Sequence, residues 1–125
     1  MNLDEPPPAV PDGVLVQSVV VHGDGERAGY RIYGDGRYQT LARGGDWVDG
    51  APLDRERLER VERTIAAGPL DDLAGRYEGT VGEGEPNVLW LQVARRGTMR
   101  TVSVVGDRRV PELERLTALL TDAFR

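Results

Sequence analysis

The chain has no cysteine and no lysine, a single histidine (His22), a single phenylalanine (Phe124) and only two serines, Ser18 and Ser103. Without cysteine there can be no disulfide, no thiolate metal site and no cysteine nucleophile. One histidine and no cysteine leave zinc without its usual ligand set. Nucleophilic chemistry by serine and histidine needs the two groups within hydrogen-bond reach. Ser18 lies four residues before His22 on the same predicted strand, about 13 Å away at ~3.3 Å per residue. Those two cannot meet.

All sixteen basic residues are arginine. With so much Gly, Ala, Val and Asp, this reads as the coding bias of a high-GC bacterial genome, ahead of an arginine-built reader of phosphate or carboxylate. No apolar run approaches the ~18 residues of a membrane span. The opening Met1-Asn2-Leu3-Asp4-Glu5 is acidic and lacks the basic and apolar regions of a signal peptide. A cytoplasmic protein is the expectation. The net charge of −5 argues against general nucleic-acid binding, which needs a basic face.

What is present describes an ordinary globular chain of 125 residues, 39% hydrophobic and 30% charged, long enough for one self-sufficient core. Residues 1–13, with Pro6-Pro7-Pro8 and Pro11 among acids, read as a flexible Pro-rich acidic tail. Residues 14–125 read as a single α+β domain. "VLVQSVVVH" (14–22) is rich in β-branched residues at strand length. "GYRIYG" and "RYQTLAR" (37–43) alternate in the same way, so three strands joined by Gly-rich bends form a meander. "GGDWVDGAP" is loop chemistry with Trp47 and Val48 as packing anchors.

The period then changes. In "LDRERLERVERTIAAG" Leu58, Val61 and Ile65 fall at helical spacing, Asp54 is placed to cap the helix, and Gly68-Pro69 stops it. "NVLWLQVARRGTMRTVSVVGD" is a hairpin turning at Arg96-Gly97. "VPELERLTALLTDAF" carries Leu113, Leu116, Leu120 and Phe124 as one apolar stripe, with Pro111 in the first turn. The order βββ-α-ββ-α predicts a two-layer sandwich: a mainly antiparallel five-stranded sheet with two helices on one face.

Candidate chemistry is sparse. Gly23-Asp24-Gly25 recurs as Gly34-Asp35-Gly36. A phosphate-cradling loop must follow a strand and open a helix, whereas both segments lead into strands. Residues 34–36 therefore read as a tight hairpin whose last glycine takes positive φ, and residues 22–29 as a longer, looser bend. Asp71, Asp72, Glu83 and Glu85, with Glu78, cluster in the long connection. Oxygen ligands of this kind suit calcium. Arg95, Arg96 and Arg100 surround one hairpin tip, while Arg108 and Arg109 sit past the other end of the strand.

From Tyr30 to Phe124 the run "YRIYGDGRYQTL", "LDRERLERVERTI" and "LWLQVARRGTMRTVSVV…VPELERLTALL" resembles, in layout, a set of uncharacterised small bacterial strand-turn-strand-helix-hairpin-helix domains. The second half also resembles emfourin-type inhibitors of thermolysin-like metalloproteases. There a strand pair leads through a short acidic turn into a "P-x-L-x-x-L" helix, here Val102 to Val105, Asp107 and Pro111 to Leu116. That resemblance implies a fold of strands and helices and an inhibitory role. It assigns no contact residues.

These observations set the functional expectations. The chain is read as a non-enzymatic binding domain with a protein partner, without cofactor, as a monomer or homodimer. Trp47, Trp90, Arg96 and Arg100 are the candidate partner contacts, because aromatics and arginine supply much interface energy. Inhibition of a thermolysin-like metalloprotease and calcium binding by the acidic 71–85 loop are the alternatives.

Overall fold

A computed structural model of the chain describes residues 7–67, 73, 75–79 and 87–124. The β-branched run forms β1 (Val14–Val21), followed by β2 (Arg27–Tyr33), β3 (Tyr38–Leu41) and β4 (Trp47–Asp49). Helix α1 (Arg55–Ala67) comes next, then β5 (Arg76–Glu78), the hairpin β6 (Val88–Arg95) and β7 (Thr98–Val105), and helix α2 (Pro111–Phe124). All strands belong to one sheet in the order β4-β3-β2-β1-β6-β7-β5.

The α+β architecture agrees with the sequence reading, but the sheet has seven strands instead of five, and it is mixed. β5 runs parallel to β7, pairing Tyr77 with Val104. Both extra strands are three residues long. Alternation needs a longer run to show, and each is flanked by glycine and charge that read as loop. Pairing with a neighbour already in place, Leu41 with Trp47 and Arg76 with Ser103, makes them strands.

The meander closes through three turns of one geometry. His22 N donates to Glu26 O (2.8 Å), Tyr33 N to Arg37 O (2.9 Å) and Ala42 N to Asp46 O (2.8 Å). Within each, the third loop residue, Gly25, Gly36 or Gly45, bonds back to the first strand with φ of 92°, 96° and 93°. Such a three-residue loop ends in a left-handed residue that only glycine adopts cheaply. Asp24 and Asp35 lock the first two by accepting the N–H two residues on, at 2.9 and 3.0 Å. The looser bend expected at 22–29 is thus as tight as its successor. The β6–β7 turn falls at Arg96 (φ 54°) and Gly97 (φ 78°), as the sequence indicates.

Asp54 caps α1, its Oδ1 accepting the Arg57 N–H at 2.8 Å. Val61 and Ile65 of α1 join Leu113, Leu116, Leu120 and Ala123 of α2 against Val16, Ile32, Leu91, Val93, Val102 and Val104 of the sheet. Both helices therefore lie on one face. The surface pair on α1 is Arg55–Glu59 at 3.2 Å. The opposite face buries a second, smaller cluster, Val19, Val88, Trp90 and Val105, with Val21, Leu41 and Trp47 packed against it. Among the described residues no helix is long and apolar enough to cross a membrane.

Candidate functional site

Strand register builds the face opposite the helices row by row. One row is apolar: Trp47 opposes Leu41, which opposes Gly29, then Val19 and Trp90. A side chain at Gly29 has no room, since its Cβ would run into the Ser18 carbonyl oxygen. The next row is polar from end to end: Asp49, Gln39, Arg31, Gln17 and Gln92. Gln17 is 0%, Gln92 3% and Arg31 8% exposed. Buried polar groups of this kind persist only when hydrogen-bonded.

They are. Gln39 Nε2 donates to Asp49 Oδ1 at 2.8 Å, and Arg31 Nε donates to Gln39 Oε1 at 2.7 Å. Arg31 Nη1 donates to Gln17 Oε1 at 3.3 Å, and Gln17 Nε2 to Gln92 Oε1 at 3.1 Å. The Tyr33 hydroxyl adds a bond to Gln39 Oε1 at 3.2 Å. Two further amide donors reach the N-terminal segment: Gln92 Nε2 to the Pro8 carbonyl at 2.9 Å and Gln17 Nε2 to the Ala9 carbonyl at 3.1 Å. Part of the stretch read as a tail thus lies across this face. Its return path runs through Gly13, whose φ is 86° and whose carbonyl accepts the Gly34 N–H at 2.8 Å.

Arg31 carries its charge into this row without a direct carboxylate contact among the described residues. Two amide oxygens and the face of the Trp47 ring, 4.1 Å from the guanidinium carbon, solvate it instead. With the ring only partly buried, stacking of this type is worth ~0.5–1 kcal/mol, and it fixes the indole at the sheet's end. Arg37 makes the equivalent contact with the Tyr33 ring at 4.1 Å. Its backbone N–H, then its guanidinium, hold the Asp35 carboxyl below its ordinary value.

The predicted contact residues do not converge. Trp47 lies on the edge strand β4 beside Val48, which is 50% exposed. Trp90 is 8% exposed inside the second cluster. Arg96 sits exposed at the β6–β7 turn. Four strand steps of ~4.8 Å separate β4 from β6, so Trp47 and Arg96 belong to different corners. Arg100 is half-buried, and its Nη2 donates to the Leu73 carbonyl, tying the approach to β5. Asp71, Asp72, Glu83 and Glu85 lie outside the described residues; Glu78 pairs with Arg76 at 2.8 Å. Among the described residues no cluster of three His, Asp or Glu has metal-binding geometry.

Clefts open on the helical side, among them a small one between Ile65 of α1 and Ala94 of β6 and two larger ones. One of about 460 Å³ is lined by Val20, Leu89, Val104, Leu113 and Ala118 with Arg108 at its rim. The other, about 580 Å³, is walled by Tyr30, Tyr38 and Phe124, whose rings pack 4.9 to 6.4 Å apart. The Tyr30 hydroxyl is buried without a hydrogen-bond partner among the described residues. Burial, and second the neighbouring Tyr38, push it from its ordinary 10.0 up to about 12.

Sequence reading passed over Gln17, Arg31, Gln39 and Gln92. A signal was available: Gln17 and Gln92 each fall among apolar residues of a strand, on the face that also carries Val19 and Trp90. Compared with the known protein families the chain matches none, and no curated protein matches it in sequence.

Proposed function

We propose that this chain is a non-enzymatic protein-binding domain that engages its partner at the free edge of β4. The observation that carries this reading is the β4 edge itself: among the described residues an end strand with one neighbour, an indole clamped by Arg31, and Val48 half exposed beside it. An unpaired edge offers N–H and C=O groups to a strand from another chain, and adjacent side chains give the contact specificity. A ring held in place before binding loses little freedom on association. The burial of both serines, away from any approaching substrate, supports the non-enzymatic part. Ser18 and Ser103 are buried at 7% and 2%, and register puts them on opposite faces of the sheet.

The test places a photo-crosslinking amino acid at Val48, and at Glu62 on α1 as a control, in lysate of the source organism. A discrete adduct is expected from position 48 alone. Excess unlabelled wild-type chain suppresses it, and a Trp47→Ala, Val48→Asp chain does not. The same adducts at both positions reject the edge. Purified thermolysin-like protease, assayed with excess chain, examines the inhibitor version of this function: unchanged turnover removes it.

A further inference from the structure

The two amide donors at the end of the polar row are aimed outward at backbone. Gln17 Nε2 has two hydrogens; one goes to Gln92 Oε1 and the other to the Ala9 carbonyl. Gln92 Nε2 reaches the Pro8 carbonyl. Gln17 and Gln92 are direct partners on neighbouring strands. Their side chains therefore present two neighbouring donors, which the successive Pro8 and Ala9 carbonyls accept.

We infer that this face carries a groove for an extended, proline-rich peptide, and that residues 7–10 of this chain occupy it in cis as a displaceable strap. The partner is a protein segment of the same chemistry, rich in proline and extended. Three features fix that choice. The groove supplies donors and asks for acceptors only, and proline contributes a carbonyl without an N–H that would be buried unpaired. Pro7, Pro8 and Pro11 hold the segment in a preformed extended conformation, which lowers the ordering cost of binding. Both contacts are to backbone, so the groove reads the segment's conformation and carbonyl spacing, and a second segment of that type competes on equal terms.

The strap is tethered through Gly13, where positive φ lets the chain fold back over β1. Tethering gives it an effective concentration in the millimolar range, so a free peptide competes poorly until the strap is weakened. With the strap in place Gln17 and Gln92 are 0% and 3% exposed; removing it opens their two outward N–H groups to water or to another acceptor. A substitute that supplies two carbonyls would replace that water.

This inference rests on the protein-binding reading but uses a surface separate from the β4 edge, so the two can fail independently. The experiment keeps the full chain and replaces Pro7, Pro8, Ala9 and Val10 by Gly-Ser-Gly-Ser, which keeps the carbonyls and removes the preformed conformation. The probe is a fluorescein-labelled peptide of residues 4–12, followed by anisotropy. We expect the loosened chain to bind it at least ten-fold more tightly than the intact chain. On titration the side-chain amide resonances of Gln17 and Gln92 should move and that of Gln39 should stay. Gln17→Leu with Gln92→Leu in the loosened background should abolish binding, and Trp47→Ala should leave it unchanged. No saturable binding by a loosened chain that still melts cooperatively overturns the groove. So does a loosened chain that fails to fold, because the segment is then a structural element that no partner can displace.

Discussion

The two faces of the sheet are closed by different means. On one, two helices press Val61, Ile65, Leu113, Leu116 and Leu120 onto Val16, Ile32, Leu91 and Val102, and the contact is apolar apart from Ser18 and Tyr30. On the other, Val19, Val88, Trp90 and Val105 form a smaller cluster beside a hydrogen-bonded polar row that stretches from Asp49 to Gln92. Apolar contact is non-directional and roughly proportional to buried area. A buried amide or guanidinium row is directional, and its cost falls on whichever member loses its partner. The helical face therefore supplies bulk stability, while the polar row supplies positional demands that a neighbouring chain segment must meet.

Substitutions can break this contrast in order of size. Leu116→Ala empties a fully buried site between the helices and the sheet and should cost ~2–5 kcal/mol in denaturant melts. Arg31→Ala leaves Gln17 Oε1 without a donor and frees the Trp47 ring. A loss of ~2 kcal/mol is expected. The sharper form of that test removes the row together. Arg31→Met with Gln17→Leu and Gln92→Leu should cost less than Arg31→Ala alone, because no buried partner is stranded. If the triple variant is the worse of the two, the row stabilises in its own right and the contrast fails.

Tyr30 is an exception on the helical face, a buried hydroxyl with no acceptor among the described residues. Tyr30→Phe should raise stability by ~1 kcal/mol. Its pH dependence follows from the raised pKa. The folded chain holds a proton that the unfolded chain releases, so this contribution is intact below pH 10 and lost as pH rises toward about 12. Melts of wild type across that range should fall more steeply than those of Tyr30→Phe. Trp47→Ala comes last, with a loss of at most ~1 kcal/mol from the stacked guanidinium. Its larger effect is expected in the cross-linking at Val48.

Much of the helical face was legible in the sequence. Leu58, Val61 and Ile65, and Leu113, Leu116 and Leu120, repeat at the helical period, and Asp54 and Gly97 mark a cap and a turn by local chemistry. The edge strands β4 and β5 were not legible, since three residues carry no measurable period and become strands only by pairing with β3 and β7. The two Gly-Asp-Gly segments were correctly placed between strands. The first was expected to be looser than it is, because the aspartate lock on the following N–H is set by geometry that composition alone does not display.

The site was legible only as isolated residues. Trp47 was singled out for its place in a Gly-rich stretch, yet the arginine beneath it comes from another strand. Gln17 and Gln92 stand 75 residues apart, and Gln92 lies 84 residues from the proline whose carbonyl it meets. By itself the sequence determined which residues alternate, which recur every third or fourth position, and where the chain turns, because those properties depend on near neighbours. Only the tertiary structure decided which strands meet and in what register, what lies over the second face, and where each buried amide finds its acceptor. Those outcomes depend on groups distant in the chain, whose hydrogen bonds exist only once the sheet has brought them together.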